Sequence, residues 1–124
     1  MKRNQFLKHL SSIIAIALFI VLTIGSDGGE DTTVSLNAQV SFNGSQFVIV
    51  NKDNFDYRNA KLELNGKYEL KGYTLRAGET YTVGMMQFAD KDGNRFSMMQ
   101  KPQKFSIWCD LGDGKNGFYY ATWN

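Results

Sequence analysis

Residues 34 to 43 alternate apolar and polar side chains without a break: Val34, Leu36, Ala38, Val40 and Phe42 on one side, Ser35, Asn37, Gln39, Ser41 and Asn43 on the other. Five pairs in phase is the signature of an extended strand with one face on a core and one in water, because side chains of a strand point alternately to its two faces. A helix would scatter the same residues around its whole circumference. Asn43-Gly44 then offers the residue types of a tight type I′ turn, and Phe47-Val48-Ile49-Val50 follows as a strand apolar on both faces, hence central in its sheet.

The grammar repeats down the chain. Leu62 and Leu64 alternate with Lys61, Glu63 and Asn65; Asn65-Gly66 turns the chain; Tyr68 and Leu70 then alternate with Lys67, Glu69 and Lys71. A turn at 75 to 80 leads into Tyr81-Thr82-Val83, and a polar, Met-containing connection leads to Phe105 to Cys109. A glycine-rich turn at 112 to 117 precedes Phe118 to Trp123. About seven short strands joined by turns, with no helical period after residue 26, predict an all-β antiparallel sandwich. With nine Phe, six Tyr and two Trp against one Pro, the chain has the apolar bulk to fill one small core without a disulfide.

Ahead of this lies a segment of another kind. Residues 10 to 24 carry no charge, Ile13 to Leu22 are unbroken apolar residues, and Lys2, Arg3 and Lys8 precede them. A helix there has no polar face, and a β domain of about 90 residues has little interior to hide it. Lipid is the apolar solvent it suits, with the basic flank cytoplasmic. From His9 to Ser26 the segment would span about 27 Å, close to the hydrocarbon thickness of about 30 Å. The chain therefore divides into an N-terminal transmembrane helix at 1–25, a flexible acidic tether at 26–33 and a β-sandwich at 34–124 outside the membrane. The alternative is a cleaved signal peptide and a secreted domain, since Thr23 and Gly25 put small residues before Ser26.

Removing the segment changes two other readings. Without its three cations, 11 basic residues face 12 acidic ones from residue 26 on, so the part of the chain beyond the segment has no electrostatic footprint for nucleic acid. The sole histidine, His9, leaves with it, which excludes a Ser-His-Asp or Cys-His arrangement in the domain.

Val50-Asn51-Lys52-Asp53, the alternating run Ala60 to Gly66, and Leu75-Arg76-Ala77-Gly78-Glu79-Thr80 together resemble the immunoglobulin-like modules of the FxLYD type found in bacterial exported proteins. Those modules have a strand ending in Asn, a strand of alternating Val/Leu, and an Ala-Gly-Glu or Pro-Gly-Glu turn before the next strand. The resemblance covers about half the domain. It implies an immunoglobulin-like sandwich and a non-enzymatic module outside the cytoplasmic membrane, and it carries over no functional residues.

Candidate sites follow from strand phase. If Phe105, Ile107 and Cys109 point inward, Trp108 points out, and the last strand should add aromatic residues beside it. Trp108, Tyr119 and Trp123 are the expected ligand-binding residues, suited to a protein or glycan partner because Tyr and Trp join an apolar body to a polar tip. The loops 51–58, 76–79 and 111–117 should share one end of the sandwich and gather Asp53, Asp56 and Asp113, with Glu79 and Asp110, as a possible Ca²⁺ site. Turn chemistry explains the same aspartates without a metal.

Asp90 to Asn94 lacks the spacing of a calcium loop. Met85, Met86, Met98 and Met99 lack the histidine or second cysteine that would favour Cu(I) over simple packing. Cys109 is expected buried, and no cofactor is expected. The reading is a membrane-anchored binding module; its rival is an assembly subunit acting through the transmembrane helix.

Overall fold

The computed structural model describes residues 32–123; the apolar segment 1–25, its basic flank, His9 and most of the expected tether lie outside them. No helix among the described residues is long and apolar enough to cross a membrane. Eight strands are described: β1 (Thr32–Ser35), β2 (Ala38–Phe42), β3 (Gln46–Asn51), β4 (Tyr57–Leu64), β5 (Tyr68–Leu75), β6 (Thr80–Gly84), β7 (Lys104–Gly112) and β8 (Lys115–Thr122). They form a five-stranded sheet in the order β1-β8-β7-β4-β5 and a three-stranded sheet in the order β2-β3-β6. The all-β sandwich expected from the alternation is present. It is not wholly antiparallel, because β1 runs parallel to β8, and β1 includes Thr32 and Thr33, which the expected boundary left in the tether.

The first alternating run proves to be two strands. Ser35 pairs with Phe118 in one sheet and Ala38 with Asn51 in the other, so the chain crosses between sheets at Leu36-Asn37. Leu36 is 3% exposed and Val40 8%, so the inward phase survives the crossing. Both sheets face the same core, and one alternation serves both. The Asn37 N–H is satisfied by Asp53 Oδ2 at 2.9 Å and its carbonyl by the Lys52 N–H at 3.0 Å, which ties the crossing to the loop after β3.

The Asn-Gly turns differ from one another. Asn65 and Gly66 have φ of 54° and 69°, the positive pair a type I′ turn requires, and Lys67 N–H closes on the Leu64 carbonyl at 3.2 Å. Asn43-Gly44 does not form the expected type I′ turn. Only Gly44 is left-handed, while Asn43 Oδ1 accepts the N–H groups of Ser45 and Gln46 in a three-residue loop. Asn65 does more than turn: its Oδ1 accepts from Gln103 and Lys104 N–H and its Nδ2 donates to the Lys101 carbonyl, pinning the hairpin to the start of β7.

The core holds Phe47, Ile49, Leu62, Leu64, Phe105 and Ile107, all without exposed surface. β3 is central in its sheet, as its two apolar faces require. The connection 85–103 proves to be more than polar: Phe88 and Phe96 are fully buried, and Phe88 meets Phe47 and Phe105 edge-on at centroid distances of 5.7 and 6.0 Å. Reciprocal bonds between Glu69 and Ala89, at 2.8 and 3.2 Å, strap this connection to β5. Burying each of these two rings is worth about 1.5–3 kcal/mol.

Candidate functional site

Strand register places the outward residues of the five-stranded sheet in two cross-strand rows. One runs Lys71, Lys61, Trp108, Phe118, Ser35; the next runs Glu69, Glu63, Ser106, Tyr120. Half of this face is therefore charged and half aromatic. Lys61 and Lys71 reach Glu69 at 3.8 and 3.7 Å, pairs too exposed to add much stability.

On the aromatic half, the Trp108 and Phe118 rings lie 4.4 Å apart at 45°, and Phe118 stacks on Tyr120 at 6.3 Å and 17°. Trp108 is 37% exposed and Tyr120 53%. Ser106, between them, is buried at 8% and lies 3.5 Å from Glu63 Oε1. The result is a continuous aromatic stripe with polar groups along one side.

Only Trp108 of the three expected aromatic residues belongs to it. Tyr119 and Trp123 fall on the opposite phase of β8, toward the core. The Trp123 ring lies 5.9 Å from Phe47 and 6.4 Å from Phe105, and burial raises the Tyr119 phenol pKa, with the Val40 backbone acting against it. Phe118 and Tyr120 take their places beside Trp108. Gly117 fixes this phase in the fold: a Cβ there would sit 2.5 Å from Leu36 Cδ2 and 2.9 Å from Cys109 Sγ, so position 117, and with it 119, 121 and 123, must face inward.

The three loops do meet at one end, but the carboxylates of Asp53, Asp56 and Asp110 are taken up by local hydrogen bonds. Asp53 Oδ2 accepts from Asn37 N–H and from the Tyr57 hydroxyl at 2.7 Å; Asp56 Oδ1 accepts from Ala77 N–H at 2.9 Å; Asp110 Oδ1 accepts from Gly112 N–H at 2.9 Å. Asp113 has φ of 52° in the tight β7–β8 turn. Asp53, Asp56 and Asp113 are thus not brought together as Ca²⁺ ligands, and no group of three or more His, Cys, Asp or Glu suited to a metal occurs among the described residues. At the far end, Asp90 accepts from the N–H group of Asn94 and, less strongly, from that of Asp92, which holds its carboxyl below the usual range and accounts for the turn without an ion. Of the methionines in the connection, Met85 is buried and Met86, Met98 and Met99 are exposed.

Asn51 organises this loop end and was visible beforehand only as a strand-ending Asn. It is fully buried: Nδ2 donates to the carbonyls of Phe55 and Leu75 at 2.9 Å each, and Oδ1 accepts from Asp53 N–H at 2.8 Å. Its own N–H and carbonyl bond Glu79 and Gly78. Five hydrogen bonds from the four polar groups of one residue fix the β3–β4 loop, the end of β5 and the 76–79 turn together.

Beside it lies an open cleft of about 480 Å³ lined by Val34, Phe55, Asp56, Arg58, Leu111 and Lys115. Cys109 is buried on the core side, and desolvation pushes its thiol up to about 11, so it is an inert small hydrophobe. Comparison of the chain with protein-family models, with curated proteins and with solved structures finds no match.

Proposed function

We propose that this chain is a non-enzymatic binding module, held on the outer face of a cytoplasmic membrane by segment 1–25, whose Trp108–Phe118–Tyr120 stripe contacts a protein or glycan ligand. The observation that carries the reading is the stripe itself: three adjacent rings on the solvent face of a five-stranded sheet, where core packing makes no demand for them. Aromatic rings with polar neighbours supply large contact area at low entropic cost, which is why such residues dominate binding surfaces.

The finer assignment to an immunoglobulin-like, FxLYD-type module rests on two supports. Strand order β2-β3-β6 over β8-β7-β4-β5 is that of a seven-stranded Greek-key sandwich with β1 added at one edge. In addition, the strand-ending Asn51 bonds directly to Gly78 and Glu79 of the Ala-Gly-Glu turn. The membrane placement rests on the uncharged apolar run and its basic flank.

A photo-crosslinking amino acid replacing Tyr120 in the full-length chain, expressed in its membrane, should trap a discrete partner, and Trp108→Ala should abolish the adduct. For a glycan ligand, oligosaccharide titration should change Trp108 emission saturably, with the response lost in Tyr120→Ala. No adduct and no emission change would remove the stripe as a binding surface.

A further inference from the structure

The cleft at the loop end is lined by three apolar side chains from three different elements: Val34 of β1, Phe55 of the β3–β4 loop and Leu111 of β7. Two cations share it, Arg58 and Lys115. Arg58 stands opposite Asp110 in the β4–β7 register, yet among the described residues neither cation takes part in an ion pair or side-chain hydrogen bond. Asp56 stands on the same wall with Oδ1 engaged by the Ala77 N–H.

Arg58 is placed there by a defect in the sheet. The β4 register shifts between Arg58 and Lys61, and Asn59 takes φ of 50°, one of three non-glycine residues at positive φ among those described. Arg58 and Asn59 are consequently both exposed between buried Tyr57 and buried Ala60. A bulge of this kind re-aims a side chain, and a residue in sparsely populated backbone space beside a charged group is a pointer to a site. The guanidinium then rests over the β7–β8 turn: a Cβ on Gly112 would come within 3.1 Å of Arg58 Nη2, at a position whose φ of 87° already favours glycine.

From this arrangement we infer a second binding site, in which the cleft receives the C-terminal residue of a peptide that ends in an apolar side chain. Arg58 and Lys115 take the terminal carboxylate, which guanidinium groups bind through paired charge-assisted hydrogen bonds. Val34, Phe55 and Leu111 take the side chain, and the remaining oxygen of Asp56 accepts an N–H from the ligand backbone. That last group distinguishes a chain end from a fatty acid, which has no N–H to offer and would meet Asp56 as a like charge. The volume lies within the range of about 300–1,000 Å³ typical of small-ligand sites, and the open outer side lets the rest of a peptide leave. The site is separate from the aromatic stripe and stands or falls independently of it.

Fluorescence anisotropy of a fluorescein-labelled Gly-Ser-Leu peptide, with the full-length chain in zwitterionic detergent, tests this. Saturable binding is expected, weakened about tenfold or more by amidation of the C-terminus and about five- to tenfold by Arg58→Gln or Lys115→Gln, as for loss of a charge-assisted contact. Trp108→Ala should leave it unchanged, and free leucine should compete at least about tenfold more weakly than the unlabelled peptide. Arg58 and Lys115 are exposed, and an unaltered near-ultraviolet circular dichroism spectrum separates lost contact from lost fold. Equal binding of the amidated peptide, unchanged affinity in Arg58→Gln, competition by leucine equal to that of the peptide, or no saturation up to about 2 mM would each overturn the assignment.

Discussion

The Tyr57 hydroxyl donates to Asp53 Oδ2 at 2.7 Å, on the same oxygen that accepts the Asn37 N–H at 2.9 Å. Burial raises the Asp53 pKa above 3.8, and those two hydrogen bonds oppose the rise without cancelling it. Between 3.8 and the raised value the folded state holds more protons than the unfolded one, so this residue's contribution to stability falls as pH rises through that window. In guanidinium titrations of the wild type and Asp53→Asn, the difference between them should move in favour of the wild type as pH is lowered from about 7 to about 4. A constant difference would mean that Asp53 does not titrate there. Other carboxylates, including Asp90 with its lowered pKa, cancel in the comparison.

Removing the other member of the pair acts differently. Tyr57→Phe keeps the buried ring and deletes only the hydroxyl, which leaves a desolvated carboxylate with one donor. The expected loss is about 1.5–3 kcal/mol at neutral pH, the range for hydrogen bonds to charged groups, and it should shrink in acid where Asp53 is protonated. A pH-independent loss would assign the cost to packing.

Asn51 carries more than either. Asn51→Ala strands the Phe55 and Leu75 carbonyls and the Asp53 N–H at a fully buried position. Unsatisfied buried groups cost about 1–3 kcal/mol each before relaxation and water entry, so a loss of about 3–4 kcal/mol is expected from denaturant titration. Asn51→Asp should be no milder, because the carboxylate supplies the acceptor and not the two donors. A loss under about 1 kcal/mol for Asn51→Ala would show that water replaces the amide.

How much of this was legible beforehand depends on which residues are asked. Alternation located β2, β4 and the hairpin at Asn65-Gly66, because one face of each is in water and the period-2 pattern is unmasked. It missed the crossing at Leu36-Asn37, since two sheets facing one core preserve phase through a change of sheet. Phase in β8 was ambiguous because Phe118 and Tyr120 on one side match Tyr119 and Trp123 on the other in size; only the contact of Gly117 with Leu36 and Cys109 breaks the tie, and that contact is tertiary. Phe88 and Phe96 were hidden in a segment that reads as polar because most of its residues are. Arg58 left no signal, since a bulge is a relation between strands rather than a pattern within one.

The two tryptophans should separate cleanly in stability. Trp123 is partly buried and packs its ring on Phe47 and Phe105, so Trp123→Ala is expected to cost about 3 kcal/mol, the low end for large truncations in cores. Trp108 lies on the solvent face, 37% exposed, and its pair with Phe118 adds about 0.5–1.5 kcal/mol beyond the area the ring covers, so Trp108→Ala should cost clearly less than Trp123→Ala. Thermal melts of the two variants measure the contrast. Equal losses would mean that the outward stripe is as much a part of the stabilising framework as the core, and would weaken its reading as a binding surface.

Gly117 offers the sharpest test of how the core closes. It lies on β8 where Leu36 arrives from the sheet crossing and Cys109 from β7, and a Cβ would have to share space 2.5 Å from one and 2.9 Å from the other. Its φ is not in the left-handed region, so Gly117→Ala isolates the steric effect from backbone strain. Overpacking of this size costs about 1–3 kcal/mol. Leu36→Ala alone should lose about 2–5 kcal/mol through the cavity it leaves. In the double variant the new methyl group occupies part of that cavity, so the two losses should fall short of additive by about 1 kcal/mol or more in a double-mutant cycle. Strict additivity would show that β8 moves away from Leu36 instead, and the crossing at Leu36-Asn37 would then not depend on a glycine facing it.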